Sequence, residues 1–192
     1  MAWKNDQVSE LETKRIIELA REQLARQGDF VELGCYKGDT SLLLADLLKG
    51  SDKRLWIYDS FEGLPEKRRE DDSITGDSFK RGELYVTKRE VKERFLRAGL
   101  PVPMIRKAWF SELVAEDLPE KIAFAFLDGD FYSSIKDSLR VVDGKLVVGA
   151  KLVVHDYNNP ALPGVAKAVD EWASGRKTRF EIYQSMIIFD IL

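Results

Sequence analysis

Short apolar runs alternate with longer amphipathic stretches along most of the chain. The apolar runs predict strands at residues 30–33, 55–58, 104–106, 122–127 and 151–154. The stretches between them repeat their apolar residues at helical spacing and predict helices at residues 41–48, 83–98, 133–142 and 165–173. Alternating strands and helices are typical of a parallel sheet with helices on both faces, so we expect an α/β fold.

The beginning of the chain departs from this alternation. Residues 8–27 are rich in charge, but their apolar residues recur at helical spacing, as Ile16, Ile17, Ala20 and Leu24. They predict a helix ended by Gly28. We therefore expect residues 1–28 to form an N-terminal helical segment packed on a single domain of residues 29–192.

Two further segments interrupt the alternation. The β-rich runs at residues 180–183 and 185–191 leave no space for a crossover helix, so we predict a hairpin and an antiparallel last strand. Residues 61–82 are rich in charge and carry helix-breaking residues, namely Gly63, Pro65 and Gly76. A loop of this length is usually a lid or a disordered segment.

Composition limits the class of protein further. The chain has 192 residues, of which 44% are hydrophobic, enough for the core of one domain. Its 30 basic and 33 acidic residues form no basic block, so we expect no nucleic-acid partner. Cys35 is the single cysteine and excludes an internal disulfide. Because we find neither a signal-peptide pattern nor an apolar run of about 20 residues, we expect a cytoplasmic protein without a membrane partner.

The exit of the first predicted strand carries an acid and two glycines. Open α/β sheets bind ligands beyond the carboxyl ends of their strands. A dinucleotide fingerprint would read Gly-x-Gly-x-x-Gly, but Glu32 is followed by glycines four positions apart. This order is similar to the first motif of class I S-adenosylmethionine (SAM)-dependent methyltransferases and predicts cofactor contacts at Glu32, Gly34, Tyr36, Gly38 and Thr40. The alternative is an ordinary glycine turn before a helix that is capped by residue 39 or 40.

The second predicted strand ends in Asp59. An acid at this position is well placed to accept hydrogen bonds from both ribose hydroxyls of a cofactor, with Ser60 beside it. The alternative is an aspartate that initiates a turn.

Three motifs occur in the order and spacing of one family. They are Asp-Ser-Phe-Glu-Gly-Leu-Pro at residues 59–65, Leu-Asp-Gly-Asp-Phe-Tyr at 127–132 and His-Asp-Tyr at 155–157. With them the chain resembles the macrocin O-methyltransferase family over residues 29–172. The resemblance implies a class I methyltransferase fold: a Rossmann-like three-layer sandwich with a mostly parallel seven-stranded sheet and an antiparallel last strand. It also implies methyl transfer from SAM to sugar or phenol-like hydroxyls of natural products, with a magnesium ion.

The resemblance also implies roles for single residues. Asp128, His155 and Asp156 would ligate the metal, Asp130 would be the general base, and Trp109 and Asp128 would contact SAM. The family has aspartate where this chain has His155, which lowers the negative charge by one and suits a softer ion than magnesium. The family also tends to have glycine where this chain has alanine before Trp109, which weakens its assignment to the adenine.

Other interpretations of these residues remain open. His155 can be a structural histidine rather than a ligand. If the chain is extended at residues 128–130, both aspartates point the same way and Gly129 leaves space between them. Alternatively, these residues form a turn in which Asp130 caps the helix at 133–142.

Two other functions compete with the methyltransferase. Asp-x-Asp is also the metal motif of nucleotide-sugar glycosyltransferases, and the aspartate-to-histidine change is compatible with a catalytically inactive SAM-binding protein. The loops at residues 64–82 and 157–163 would select the hydroxyl acceptor, a small molecule that the sequence does not identify. The N-terminal helix looks shorter than the extension that caps some relatives, which leaves a homodimer open as a way of closing the pocket.

Overall fold

Alternate residues of the central strand β4 (Ile122–Leu127) face two separate hydrophobic cores. Phe124 and Phe126 pack in one core, and Ala125 and Leu127 pack in the other. All six residues are buried, as expected for a strand covered on both faces. The computed structural model describes residues 7–74 and 79–192.

Seven strands form one sheet in the order β3-β2-β1-β4-β5-β7-β6, in which β7 runs antiparallel to both β5 and β6 and the other neighbouring pairs are parallel. The other strands are β1 (Asp29–Leu33), β2 (Leu55–Asp59), β3 (Met104–Lys107), β5 (Leu146–Val154), β6 (Arg179–Tyr183) and β7 (Met186–Asp190). The predicted mostly parallel sheet with an antiparallel last strand is confirmed.

Helices cover both faces of the sheet. They are α1 (Glu10–Glu22), α2 (Asp39–Leu47), α3 (Lys88–Arg97), α4 (Tyr132–Asp143) and α5 (Pro163–Ala173). Side chains of the first three helices pack in the core that holds Phe124, and those of α4 and α5 pack in the core that holds Leu127. This arrangement is the predicted three-layer sandwich. Among the described residues, none of the helices combines the length and the hydrophobicity that crossing a membrane requires.

The helices α1 and α3 are shorter than their apolar patterns predict. In α3 the Thr87 hydroxyl accepts from the Glu90 amide and the Glu90 carboxylate accepts from the Thr87 amide, a capping box that starts the helix five residues after the predicted residue 83. Beyond α1, Gln23 and Leu24 donate to carbonyls three residues earlier, so the chain leaves the α-helix well before Gly28.

The predicted hairpin is present and ends in a tight turn. Tyr183 pairs with Met186 across the two-residue turn Gln184-Ser185, in which Gln184 has φ 56°. The strand β7 also pairs with β5, so it lies between β5 and β6 instead of at the edge of the sheet. The strand β5 begins at Leu146, earlier than predicted, because its pairing with β4 continues past an irregularity beside Gly149.

The long loop after β2 is fixed at its base and in its middle. Leu64 exchanges backbone hydrogen bonds with Gly82 and Glu83, at 2.9 and 2.8 Å. Asp71 is 1% exposed, and its carboxylate accepts from the backbone amide of Tyr132, the first residue of α4, at 2.7 Å. The described part of the loop is therefore ordered against α4. The predicted breaker Gly76 lies outside the described residues.

Candidate active site at the carboxyl edge of the sheet

One cavity lies where β1, β2, β4 and β5 end, at the edge where open α/β sheets bind ligands. All but one of the residues predicted to form the site line it: Glu32, Gly34, Tyr36, Thr40, Asp59, Ser60, Trp109, Asp128, Asp130, His155 and Asp156. Gly38 is the exception. It adopts φ 82° at the start of α2, and a Cβ there would lie 3.3 Å from Val91. Its visible role is conformational, and its contact with a cofactor stays a prediction.

A non-glycine residue in the left-handed region follows each of the four strands. These residues are Tyr36 (φ 45°), Phe61 (φ 52°), Asp130 (φ 60°) and Asp156 (φ 60°). Such backbone strain, of order 1–3 kcal/mol per residue, tends to cluster at functional sites. The sharp turns let neighbouring side chains, such as His155 and Asp156, face the same cavity although they follow one strand.

Gly34 brings the exits of β1 and β4 into direct contact. It has φ 90°, and a Cβ there would lie 1.9 Å from the carbonyl oxygen of Asp128. The amide of Asp128 also donates to the carbonyl of Leu33 at 2.8 Å. A side chain at this position would push away the segment that carries Asp128 and Asp130.

Asp59 organises the turns on both sides of it. One carboxylate oxygen accepts from the amides of Cys35 and Tyr36 at 2.9 and 3.3 Å, and the other accepts from the amide of Phe61 at 2.7 Å. The turn-forming interpretation of Asp59 thus has direct support. A carboxylate accepts about four hydrogen bonds, which leaves capacity for about one further donor, such as a ribose hydroxyl.

Glu32 is a buried acid behind the glycine turn. It is 1% exposed, and the Ser41 hydroxyl donates to its carboxylate. Burial, together with the negative charges of Asp128 and Asp59, raises the pKa of Glu32 to about 8. At neutral pH this side chain is therefore mostly a neutral acid that can both donate and accept hydrogen bonds.

Asp128, His155 and Asp156 converge, and their ligand atoms all lie within 4.8 Å of one another. Nδ1 of His155 lies 3.0 Å from Oδ1 of Asp128 and 2.9 Å from Oδ2 of Asp156. Neighbouring ligands around an octahedral ion with bonds of 2.0–2.1 Å are about 3 Å apart, so the spacing fits. Burial alone would lower the pKa of His155, but the carboxylates of Asp128 and Asp156 outweigh it and raise this pKa well above its usual value. The three residues therefore form a group that favours a positive charge at its centre.

Of the two conformations left open for residues 128–130, the structure has the turn. The φ of Asp130, 60°, and the hydrogen bond from the Phe131 amide to the Gly129 carbonyl, at 2.7 Å, form a γ-turn, so the chain is not extended here. The missing side chain of Gly129 leaves space for Ser134 and Phe110, rather than between the two aspartates.

The alternative in which Asp130 caps the following helix is also wrong. The residue before α4 provides no side-chain hydrogen bond to the helix, and the capping carboxylate comes from Asp71. Burial, with the charges of Asp128 and Asp156, raises the pKa of Asp130 well above its usual value. This carboxyl group therefore holds a proton more readily than an exposed aspartate does.

The sequence interpretation missed Glu12, a buried residue in the first turn of α1. Its carboxylate accepts from the amide and hydroxyl of Ser185, at 3.0 and 2.5 Å, and from the hydroxyl of Ser9 at 2.6 Å. Its Oε2 lies 3.8 Å from Nε2 of His155. The pair Ser9 and Glu12 has the Ser-x-x-Glu spacing of a capping box, which signals the helix start. Nothing local signals a contact with a residue 173 positions away.

Comparison with known proteins gives one family. A family model described as Macrocin-O-methyltransferase (TylF) matches residues 9–188. Demethyldecarbamoylnovobiocin O-methyltransferase from Streptomyces niveus is 30% identical over 173 residues, which are 85% of this chain and 63% of that protein. Mycinamicin III 3''-O-methyltransferase from Micromonospora griseorubida is 26% identical over 155 residues, 76% of this chain and 60% of that protein. The chain thus spans less than two thirds of the length of these relatives.

Solved structures share the fold. The O-methyltransferase NovP superposes with a TM-score of 0.79 at 23% identity, covering 93% of this chain and 78% of that one. The calicheamicin methyltransferase CalS11 superposes with a TM-score of 0.76 at 17% identity, covering 95% and 80%. These likenesses confirm the predicted sandwich fold.

Proposed function

The chain belongs to the macrocin O-methyltransferase family, and on that premise we propose that it transfers a methyl group from SAM to a hydroxyl of a sugar or another natural-product small molecule. We further propose that a divalent cation takes part. The observation that carries the proposal is the convergence of Asp128, His155 and Asp156 beside Asp130, in the cavity that Gly34 and Asp59 also line.

The half of the cavity formed by β1 and β2 would hold SAM, which supplies the methyl group as a sulfonium. Gly34 and Tyr36 border it, and Asp59 has capacity for a further hydroxyl donor. Trp109 also lines the cavity and offers an aromatic surface for the adenine. As a mostly neutral acid, Glu32 can hydrogen-bond a polar cofactor group without adding a full negative charge.

Asp128, His155 and Asp156 would hold the cation, which supplies a Lewis acid that lowers the pKa of the acceptor hydroxyl. One imidazole nitrogen with two carboxylate oxygens is a donor set for manganese, iron or zinc as well as magnesium. Asp130 would remove the hydroxyl proton as methyl transfer proceeds.

The acceptor would enter beside Asp130. Apolar side chains line this cavity too, among them Leu64, Phe79, Leu84 and Phe110, and they suit a partly apolar molecule. The relatives named above act, by their names, on demethyldecarbamoylnovobiocin and mycinamicin III. A homodimer, the absence of nucleic-acid binding and a cytoplasmic location stay predictions from the sequence.

Ligand binding tests the proposal against its two competitors. We expect SAM and S-adenosylhomocysteine to raise the melting temperature of the chain, and uridine diphosphate sugars to leave it unchanged. The reverse pattern would favour the glycosyltransferase, which membership of a methyltransferase family argues against.

Turnover separates an enzyme from an inactive SAM-binding protein. We expect methylated product, detected by mass spectrometry, when the chain is incubated with SAM, a divalent ion and a panel of sugar and phenol hydroxyl acceptors. A chelator should stop the reaction, and added Mg²⁺ or Mn²⁺ should restore it. Turnover that ignores the chelator would remove the cation from the proposal and leave the methyl transfer standing.

A further inference from the structure

Glu12 is a buried carboxylate that faces the proposed cation site from the N-terminal helix. It is 5% exposed, although the residues before it in the first turn of α1 are exposed. Its neighbour Glu10 is exposed. A carboxylate seldom lies buried unless it is paired, and Glu12 has the imidazole of His155 as a neighbour besides its serine partners.

The two nitrogens of the His155 ring face different carboxylates. Nδ1 lies within 3.0 Å of Asp128 and Asp156, and Nε2 lies 3.8 Å from Oε2 of Glu12. This last distance is longer than a direct hydrogen bond, but a carboxylate and an imidazole N–H this close in a buried site still attract each other. His155 therefore lies in a line of groups that runs from α1 to the cavity.

Four hydrogen bonds fix the Glu12 carboxylate in place. Ser9 donates two from its amide and hydroxyl, and Ser185 in the turn between β6 and β7 donates two more in the same way. Because donors surround both oxygens, the carboxylate is held at one position relative to the imidazole. The start of α1 and the hairpin turn thus both contribute to the surroundings of His155.

We propose that Glu12 is a positioning residue for the cation site, which holds the proton of His155 on Nε2 and directs Nδ1 towards Asp128 and Asp156. A histidine that binds a metal through one nitrogen usually has the other nitrogen oriented by a carboxylate or carbonyl partner. The inference rests on the proposed function, because it takes His155 as a ligand.

The proposal also accounts for histidine, rather than a carboxylate, at position 155. A carboxylate at this position would face the negative charge of Glu12 at close range in a buried site, which is unfavourable. An imidazole accommodates Glu12 on one side and the cation on the other. The carboxylate of Glu12 is thus compatible with an imidazole at position 155 but not with a second carboxylate there.

The variant Glu12→Gln tests the pairing. Glutamine keeps the shape of the side chain, and its oxygen can still accept from Ser9 in the capping box, while its NH2 group replaces the oxygen that accepts from Ser185. We expect it to weaken Mn²⁺ binding, measured by electron paramagnetic resonance, by about 10- to 100-fold, as is typical when the outer partner of a metal-bound histidine is lost. Glu10→Gln removes the same charge from the same turn and should leave Mn²⁺ affinity unchanged.

Nitrogen NMR of the imidazole gives a direct readout, since His155 is the only histidine of the chain. With Zn²⁺ bound, the wild-type ring should show Nδ1 coordinated and Nε2 protonated, and Glu12→Gln should lose this preference. A wild-type spectrum that does not respond to Zn²⁺ would overturn the cation site and the inference with it. A response that is identical in wild type and Glu12→Gln would overturn the inference alone.

A double-mutant cycle separates positioning from a merely structural role. In the His155→Asp background there is no imidazole to orient, so Glu12→Gln should no longer weaken Mn²⁺ binding. An equal loss of affinity in both backgrounds would mean that Glu12 acts only through the stability of α1 and the hairpin, and would overturn the proposal.

Discussion

The two halves of the cavity are built in contrasting ways. Where β1 and β2 end, backbone groups fix the geometry: Asp59 is held by three amides, and Gly34 allows one loop to touch another. Where β4 and β5 end, carboxyl groups crowd around His155, and the pKa of Asp130 is raised. The first half is preorganised and has few unmatched charges, whereas the second has an excess of negative charge. The contrast suggests that the first half recognises shape and the second holds a cation.

Asp130→Asn should have the largest effect of these variants. The effect should be limited to the half of the cavity where β4 and β5 end. The amide cannot accept the proton of the acceptor hydroxyl, so we expect kcat to fall by about 10²- to 10⁴-fold. SAM affinity, measured by calorimetry, should be unchanged because the other half of the cavity is intact. Asp52→Asn, at an exposed position, is the matched control and should keep full activity. Near-wild-type turnover in Asp130→Asn would refute the assignment of the base.

Gly34→Ala should impair both halves of the cavity, because Gly34 lies where the two halves touch. The new Cβ would be strained at φ 90° and would overlap the carbonyl oxygen of Asp128. We expect a loss of about 3 kcal/mol in the free energy of unfolding, measured with urea. Binding of SAM and of Mn²⁺ should weaken together.

Gly50→Ala is the control for backbone strain alone. Gly50 has φ 77°, but among the described residues no other atom lies within 4 Å of the place that its Cβ would take. The substitution should therefore cost only about 1 kcal/mol in the free energy of unfolding. If Gly34→Ala were no more destabilising than Gly50→Ala, the close approach of the β1 and β4 exits would be unimportant.

The same contrast explains which parts of the site the sequence predicts. Asp59, Asp128 and His155 each follow an apolar strand, and the ends of parallel strands meet at one edge, so their convergence follows from local patterns. Glu12 and Asp71 reach the site region through contacts that span 173 and 61 positions, and no local pattern specifies such pairs.

Two further features depend on the folded chain. The γ-turn at Asp130 is a strained backbone conformation, which a sequence pattern based on regular elements does not predict. The hairpin of β6 and β7 is predictable from the short gap between its strands. The position of β7 beside β5 is not, because either strand of a hairpin can join the sheet edge.

Glu32→Gln tests the buried acid of the preorganised half through the pH dependence of the free energy of unfolding. The pKa of Glu32 rises from its ordinary 4.5 to about 8 on folding, so the folded chain holds a proton that the unfolded chain releases. Glu32 therefore lowers the free energy of unfolding progressively as pH rises from 4.5 to 8. Glutamine is neutral throughout. Between pH 5.5 and 7.5 we expect the variant to gain about 2 kcal/mol relative to wild type in the free energy of unfolding.

Denaturation with urea at both pH values checks this prediction. Glu22→Gln, an exposed substitution at the end of α1, should follow the wild-type pH dependence. A constant difference between Glu32→Gln and wild type at the two pH values would show that Glu32 is ionised in the folded chain.

With a bound cation to offset the repulsion from Glu12, His155→Asp should produce the smallest effect and should alter the preferred cation rather than remove the site. The change replaces the single nitrogen donor with oxygen, which magnesium prefers, and adds one negative charge to the crowded half. We expect the ratio of Mg²⁺ to Zn²⁺ affinity to rise by on the order of tenfold, about 1.4 kcal/mol, in competition binding. SAM binding should be unaffected, because the half that would hold it makes no hydrogen bond to His155 among the described residues. An unchanged ratio would mean that the carboxylates of Asp128 and Asp156 alone set the choice of cation, and that the imidazole acts only as a structural group.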